Sequence, residues 1–148
     1  LEGGLKIIKV VKLLVKNKIP VLGHLGILPQ FTKGKFKSKG KSAKERKEII
    51  RDSKLLQEAG AFSLVLECVE KKLSKEITNS VKIPTIGIGS SKNCDGQILV
   101  TDDILGLTES KIKFVKKFTN IKKIIASGVK KFKKEVKSNK YPTKKYSY

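Results

Sequence analysis

The chain has 148 residues, 34 Lys and Arg against 13 Asp and Glu, a formal net charge of +21 and 39% hydrophobic residues, a size that suits one domain and leaves no room for two ordinary ones. No stretch approaches the roughly 18 uninterrupted apolar residues of a membrane-spanning helix, and the first residues lack the apolar core and small-residue cleavage site of a signal peptide. Two cysteines, Cys68 and Cys94, are too few for a stapled secreted scaffold, so reduced thiols in a cytoplasmic compartment are expected. Methionine is absent and the chain opens on Leu1, which is expected of a piece of a longer translated protein.

Leu5 to Lys18 carries apolar residues at 5, 7, 8, 11, 14 and 15 with lysines between them, the spacing of an amphipathic helix. Ile19 to Gly26 is a short apolar run broken by glycines, a buried strand opening into a loop. The loop Ile27 to Lys41 is long and rich in Gly and Lys, the kind of connection that often binds or covers a ligand. Ser42-Ala43-Lys44-Glu45 has the form of a capping box. The helix it starts is expected to run to Ala59, with Gly60 as its C-terminal cap. Phe62 to Leu66 reads as a second buried strand ending in Glu67-Cys68, followed by a helix from Glu70 to Asn79. Ile83 to Gly89 and Gln97 to Thr101 are the third and fourth strands. Ile112 to Phe118 and Ile121 to Val136 are helical by spacing, and residues 139–148 read as a polar tail after a domain at 1–138. Short strands, apolar on both faces and separated by helices, specify a parallel sheet of βα units. Four such units fit an open α/β sheet or half of a (β/α)8 barrel, and the missing methionine favours the half-barrel.

So large a positive charge first suggests phosphate backbones, since clustered Lys and Arg bind nucleic acid through counterion release. Only Arg46 and Arg51 are arginines, however, and the lysines are spread over almost every predicted helix without a stripe of interleaved aromatics. A lysine-biased surface is the better account, and a small lysine-rich nucleic-acid-binding protein is the alternative.

Ligands of parallel sheets bind at the C-terminal strand ends, so the residues there carry the chemistry. His24 is the one histidine and lies between glycines; it is read as structural or functional. Glu67 follows an apolar run that would desolvate a carboxylate, raising its pKa and suiting it to take a proton near neutral pH, unless one of the many lysines pairs with it. Gly87 and Gly89 lack the G-K-[ST] of a phosphate loop and read as strand-bending glycines. Cys94 has no second Cys or His at ligand spacing, and Asp95-Gly96 reads as a tight turn into the fourth strand.

Five blocks, Leu1 to Gly4, Ile19 to Gln30, Leu64 to Val69, Ile83 to Gly89 and Cys94 to Val100, resemble the ketopantoate hydroxymethyltransferase family in order and spacing. The resemblance runs to Tyr141-Pro142 and corresponds to the C-terminal part of that family. It implies strands five to eight, and the tail of strand four, of a TIM-type (β/α)8 barrel. It also implies transfer of a hydroxymethyl group from 5,10-methylenetetrahydrofolate to 3-methyl-2-oxobutanoate, giving ketopantoate, in a cytoplasmic homo-oligomer, decameric by resemblance. Mg²⁺ is the implied cofactor; neither a membrane nor a specific nucleic acid is an implied partner. By the same resemblance Glu67 matches the proton acceptor, Glu2 a residue of the magnesium site, and His24 the histidine beside the bound keto acid. Two metal-binding aspartates, a serine and a substrate lysine would precede Leu1, so the isolated chain is expected to be inactive. Three departures stand out: Ser90-Ser91-Lys92-Asn93 where small residues, often Ala-Gly, are usual, implying a looser approach to the backbone there; Lys35 for a glycine in the stretch holding Gly34, Phe36, Lys37 and Gly40; and Tyr146-Ser147-Tyr148 where a pattern containing His-Ser-Phe is usual.

Overall fold

The computed structural model describes residues 1–31 and 37–148. Gly34, Lys35 and Phe36 of the glycine- and lysine-rich loop lie outside the described residues. Two compact units divide the chain: Leu1–Ile98 with Ile112–Phe114, and Leu99–Lys111 with Val115–Tyr148.

The first unit is a parallel α/β sheet. A turn of 3-10 helix (Leu5–Ile7) leads into α1 (Ile8–Lys16), followed by β1 (Leu22–Gly26), α2 (Ala43–Glu58), β2 (Ser63–Glu67), α3 (Lys71–Ser80), β3 (Thr85–Ile88) and β4 (Gly96–Gln97). The strands lie in the order β1-β2-β3-β4, all parallel, as four consecutive βα units of half a (β/α)8 barrel would. Because side chains alternate along a strand, the register sorts the sheet into two faces. Leu25, Leu64 and Leu66 lie on one face, in the core formed with Val11, Ile49 and Leu56 and with Leu73 and Ile77 of α3. His24, Val65 and Glu67 lie on the other. Every residue of β2 is buried, so the strand is covered on both faces.

Local chemistry explains the boundaries. The Ser42 hydroxyl accepts from the Glu45 N–H at 3.2 Å, as a capping box requires. Glu45 itself reaches past the cap, its carboxylate accepting from the backbone of Gly40 at 2.6 Å and Lys41 at 3.3 Å, so it ties down the end of the preceding loop. The helix stops at Glu58, with Ala59 as C-cap and Gly60 beyond it at φ +95°. Glu70 caps α3, accepting from the N–H groups of Lys72 and Leu73.

Two elements differ from the sequence expectation. The fourth strand pairs only over Gly96–Gln97, and Thr101, expected in that strand, begins α4 (Thr101–Leu105). Asp102 and Asp103 in its first turn favour a helix N-terminus, and the N–H groups of Asp103 and Ile104 already donate to Val100 O. Ile112 to Phe118 forms no helix. Its groups are engaged elsewhere: the Phe114 ring lies against the backbone of Gly89, where a Cβ would collide with it, and Phe118 N–H donates to Ile104 O at 2.9 Å.

The second unit holds α4 and α5 (Ile121–Lys137). Asn120 caps α5 by accepting from the Lys123 N–H. Near the end of the chain the Tyr141 ring meets Phe132 edge-on at 5.5 Å and Tyr146 lies 6.1 Å from Tyr141.

Every described lysine except Lys39 is exposed, which locates the positive charge on the surface. No helix among the described residues is long and apolar enough to cross a membrane.

Asp95 does more than make a turn. Its Oδ2 accepts from the Thr85 N–H at 2.8 Å and hydroxyl at 3.0 Å, and that hydroxyl also lies 2.8 Å from the Thr78 hydroxyl, all around a Thr85 with no exposed surface. Thr85→Val keeps the shape and removes the hydroxyl, so it should lower unfolding free energy by about 1–3 kcal/mol in urea denaturation.

Candidate active site

The parallel register builds the site. His24 is paired with Val65 and Gly26 with Glu67, so the His24 and Glu67 side chains leave the same face one step apart. His24 Nε2 comes to 3.1 Å from Glu67 Oε2. The contact is an ion pair by distance when the imidazole is protonated, yet the ring nitrogen is not directed for a well-formed hydrogen bond and is otherwise buried without a partner. On the other side of β1 runs the start of the chain: Glu2 pairs with His24 in a parallel bridge, and Gly3 N–H donates to His24 O at 3.1 Å. Glu2 Oε2 is buried and has no hydrogen-bond partner. The three candidate residues of the sequence thus converge at adjacent strand ends.

Burial is the largest influence on Glu67, which is 8% exposed, and it pushes the carboxyl above its ordinary range; the His24 charge and contact pull it down, and the negative charge of Glu2 pushes it up again. The net shift is upward. Among the described residues the ion-pair partner of Glu67 is His24 and not a lysine. A carboxylate with raised proton affinity beside an imidazole can accept a proton near neutral pH and hold it out of bulk water.

Other strand-end residues are structural. Gly87 admits the Gln97 amide and the Cys94 sulfur, and Gly89 admits Phe114, so the two glycines make room for side chains of this chain and not for a phosphate. Cys68 and Cys94 are free and buried. The Ser90 hydroxyl lies 2.5 Å from that of Ser74 and donates to Val69 O at 3.2 Å, joining the end of β3 to the start of α3. No local sequence signal marks a hydroxyl pair sixteen residues apart. The sequence also gave no sign that Lys39, at the far end of the long loop, pairs with Val69 beside Glu67.

For magnesium the structure offers one fitting donor. Mg²⁺ takes one or two protein carboxylates and completes its shell with water and substrate oxygens; the orphaned Glu2 Oε2 is such a carboxylate oxygen. Among the described residues no group of three His, Cys, Asp or Glu side chains is gathered to hold a metal.

A parallel α/β sheet that carries a histidine and a carboxylate toward the C-terminal ends of adjacent strands, with a second carboxylate bridged to the first strand, belongs to the class of βα-unit proteins whose polar site sits at that end. The sequence profile of the family described as ketopantoate hydroxymethyltransferase matches residues 1–144, and the chain belongs to that family. It is 62% identical over 148 residues to the 3-methyl-2-oxobutanoate hydroxymethyltransferase of Pelagibacter ubique (strain HTCC1062), covering 100% of this chain and 57% of that relative. It is 51% identical over 151 residues to the enzyme of the same name from Clostridium botulinum (strain 657 / Type Ba4), covering 100% and 55%. Against that of Caldivirga maquilingensis the identity is 46% over 147 residues, covering 98% and 56%. The chain spans about half the length of the curated relatives it matches.

The raised proton affinity of Glu67 makes a stability prediction. A carboxyl that binds its proton more tightly folded than unfolded contributes fully below the ordinary value of 4.5, and that contribution is lost as pH rises through the higher folded value. Glu67→Gln is neutral throughout and escapes the loss. Its urea midpoint should exceed the parent's at neutral pH, with the gap closing as pH falls below about 4.

Proposed function

We propose that the protein acts as a hydroxymethyltransferase that moves a one-carbon unit from 5,10-methylenetetrahydrofolate to 3-methyl-2-oxobutanoate, giving ketopantoate. The observation that carries this reading is the buried Glu67 carboxylate, its proton affinity raised, 3.1 Å from His24 at the strand ends of a chain that belongs to this family. Assembly into a homo-oligomer belongs to the same reading and rests on the family resemblance, and a cytoplasmic location rests on that resemblance together with the low cysteine count.

Glu67 is the base. The C3–H bond of the keto acid breaks, its proton passes to a Glu67 carboxylate oxygen, and the electron pair is left in the enolate, whose C3 forms the new bond to the methylene carbon of 5,10-methylenetetrahydrofolate. The two bonds from that carbon to nitrogen break and water supplies the hydroxyl oxygen. Tetrahydrofolate leaves with both nitrogens protonated, by the water's second hydrogen and by the proton held on Glu67. Burial of the base excludes competing water and strengthens its interactions at the moment of transfer. His24 binds and orients: its imidazole carries a donor or an acceptor for the keto acid or for the new hydroxyl group. Glu2 would hold Mg²⁺ through Oε2, directly or through water, and the ion would supply polarisation of the keto acid's carbonyl, making the C3 proton more acidic.

Glu67→Gln keeps the side chain's shape and cannot take the proton. Exchange of the C3 proton of 3-methyl-2-oxobutanoate with D₂O, followed by NMR on the whole protein, should slow by about 10²–10⁴-fold, with keto-acid binding held within about tenfold. Unchanged exchange would remove Glu67 from the base role.

A second test separates the two neighbours. Glu2→Gln should raise the magnesium concentration needed for half-maximal activity much more than His24→Asn does, while His24→Asn should weaken keto-acid or product binding and slow turnover at saturating metal. Magnesium titrations of both variants at saturating keto acid check this. Equal displacement of the two curves, or displacement of the His24 curve alone, would return Glu2 to a structural role.

A further inference from the structure

The position of Glu67 is fixed by its backbone from both sides. Its carbonyl oxygen accepts from Ile27 N–H at 2.9 Å, just past the end of β1. The next residue, Cys68, donates its N–H to Ile88 O at 2.9 Å and accepts from Lys39 N–H at 2.8 Å, while Lys39 O accepts from Glu70 N–H at 2.8 Å. Both ends of the segment between Ile27 and Lys39 are therefore fastened to the Glu67-Cys68 pair.

Two unusual backbone conformations make this arrangement possible. Gly26 has φ +101°, and a Cβ there would collide with the Glu67 carbonyl oxygen and come within 2.8 Å of Val69 Cγ2. The space that a glycine at a strand end could leave for a ligand is filled by the backbone of Glu67. Cys68 has φ +52°, a conformation uncommon for a residue with a side chain and worst for a β-branched one. β2 ends at Glu67, and past Cys68 the chain forms a parallel bridge between Val69 and Lys39.

We propose that Gly26 and Cys68 are positioning residues for Glu67, their left-handed backbones setting the direction in which its carboxylate leaves β2, with the Cys68 thiol taking no part in the chemistry. The inference rests on Glu67 being the base. Burial and the Glu67 charge push the thiol up to about 11, which agrees with a bystander. Backbone and thiol roles predict opposite orders among substitutions. Glycine at position 68 loses the thiol and favours the left-handed conformation, whereas valine opposes it.

The experiment measures two quantities on the whole protein: C3 proton exchange of 3-methyl-2-oxobutanoate in D₂O, and hydrogen exchange of the peptide containing the Ile27 amide by mass spectrometry. Cys68→Gly should keep kcat for C3 exchange within about threefold, while Cys68→Val and Gly26→Ala should lower it by about tenfold or more, with KM for the keto acid within about threefold in all. Ile27 protection should fall about tenfold in Cys68→Val and Gly26→Ala and persist in Cys68→Gly. If Gly26→Ala does not fold, the two Cys68 variants decide between them. Equal loss in Cys68→Gly and Cys68→Val, or a loss confined to KM, overturns the proposal. Glu67→Gln separates the failures: C3 exchange that survives it refutes the base, and with it the positioning role, whereas its loss beside normal kcat in Cys68→Val refutes the positioning role alone.

Discussion

A carboxylate at the end of a strand buried on both faces must be held by the protein, because water cannot reach it to do so. Glu67 is in that position. Leu64 and Leu66 turn the strand toward the helices, and Val65 and Glu67 turn toward the opposite face. Desolvation of the carboxylate is opposed by one imidazole and reinforced by a second carboxylate, and its proton affinity rises. The parallel register that brings His24 beside Glu67 also brings Ile27 N–H to the Glu67 carbonyl. One set of strand pairings thus sets both the electrostatics of the site and the backbone that carries it.

The remaining charge is arranged around this centre in an uneven way. Lysines are numerous and outside, whereas several of the few acidic residues bond to backbone N–H groups: Glu45 at the end of the long loop, Glu70 at the start of α3 and Asp95 at Thr85. Arg46 joins two of the helices, reaching Glu70 at 3.2 Å and Glu76 at 2.7 Å from α2. Exposed pairs of this kind contribute little each. The backbone bonds of Glu45 and Glu70 do more, tying the loop before α2 and capping α3, and those helices supply the core on which β2 rests.

Much of this was legible in the sequence, for identifiable reasons. Strands β1 to β3 and helices α1, α2, α3 and α5 followed from apolar spacing and capping residues, which are local signals. Glu67 was legible because an acid after Leu64-Val65-Leu66 has to be desolvated wherever that run is a buried strand. Other features depend on contacts between distant segments: the Ser74–Ser90 hydroxyl pair, the pairing of Lys39 with Val69, and the non-helical course of Ile112 to Phe118. In that last stretch local spacing favoured a helix, and tertiary contacts of Phe114 and of the Phe118 backbone prevailed. The glycine at position 26 was visible as a flexible strand end; that its missing side chain makes room for a neighbour's carbonyl could be seen only once β1 and β2 were side by side.

Cys68 follows Glu67 directly, is 7% exposed and holds its proton up to about 11. Alkylating reagents attack the thiolate, which at neutral pH is scarce at this residue even before shielding is counted. Labelling of Cys68 therefore waits on excursions that lift the end of β2 out of its surroundings, and its rate, read peptide by peptide, measures how often that strand end comes apart. The chain carries its own clock for the integrity of the site, one residue along from the carboxylate whose environment it reports.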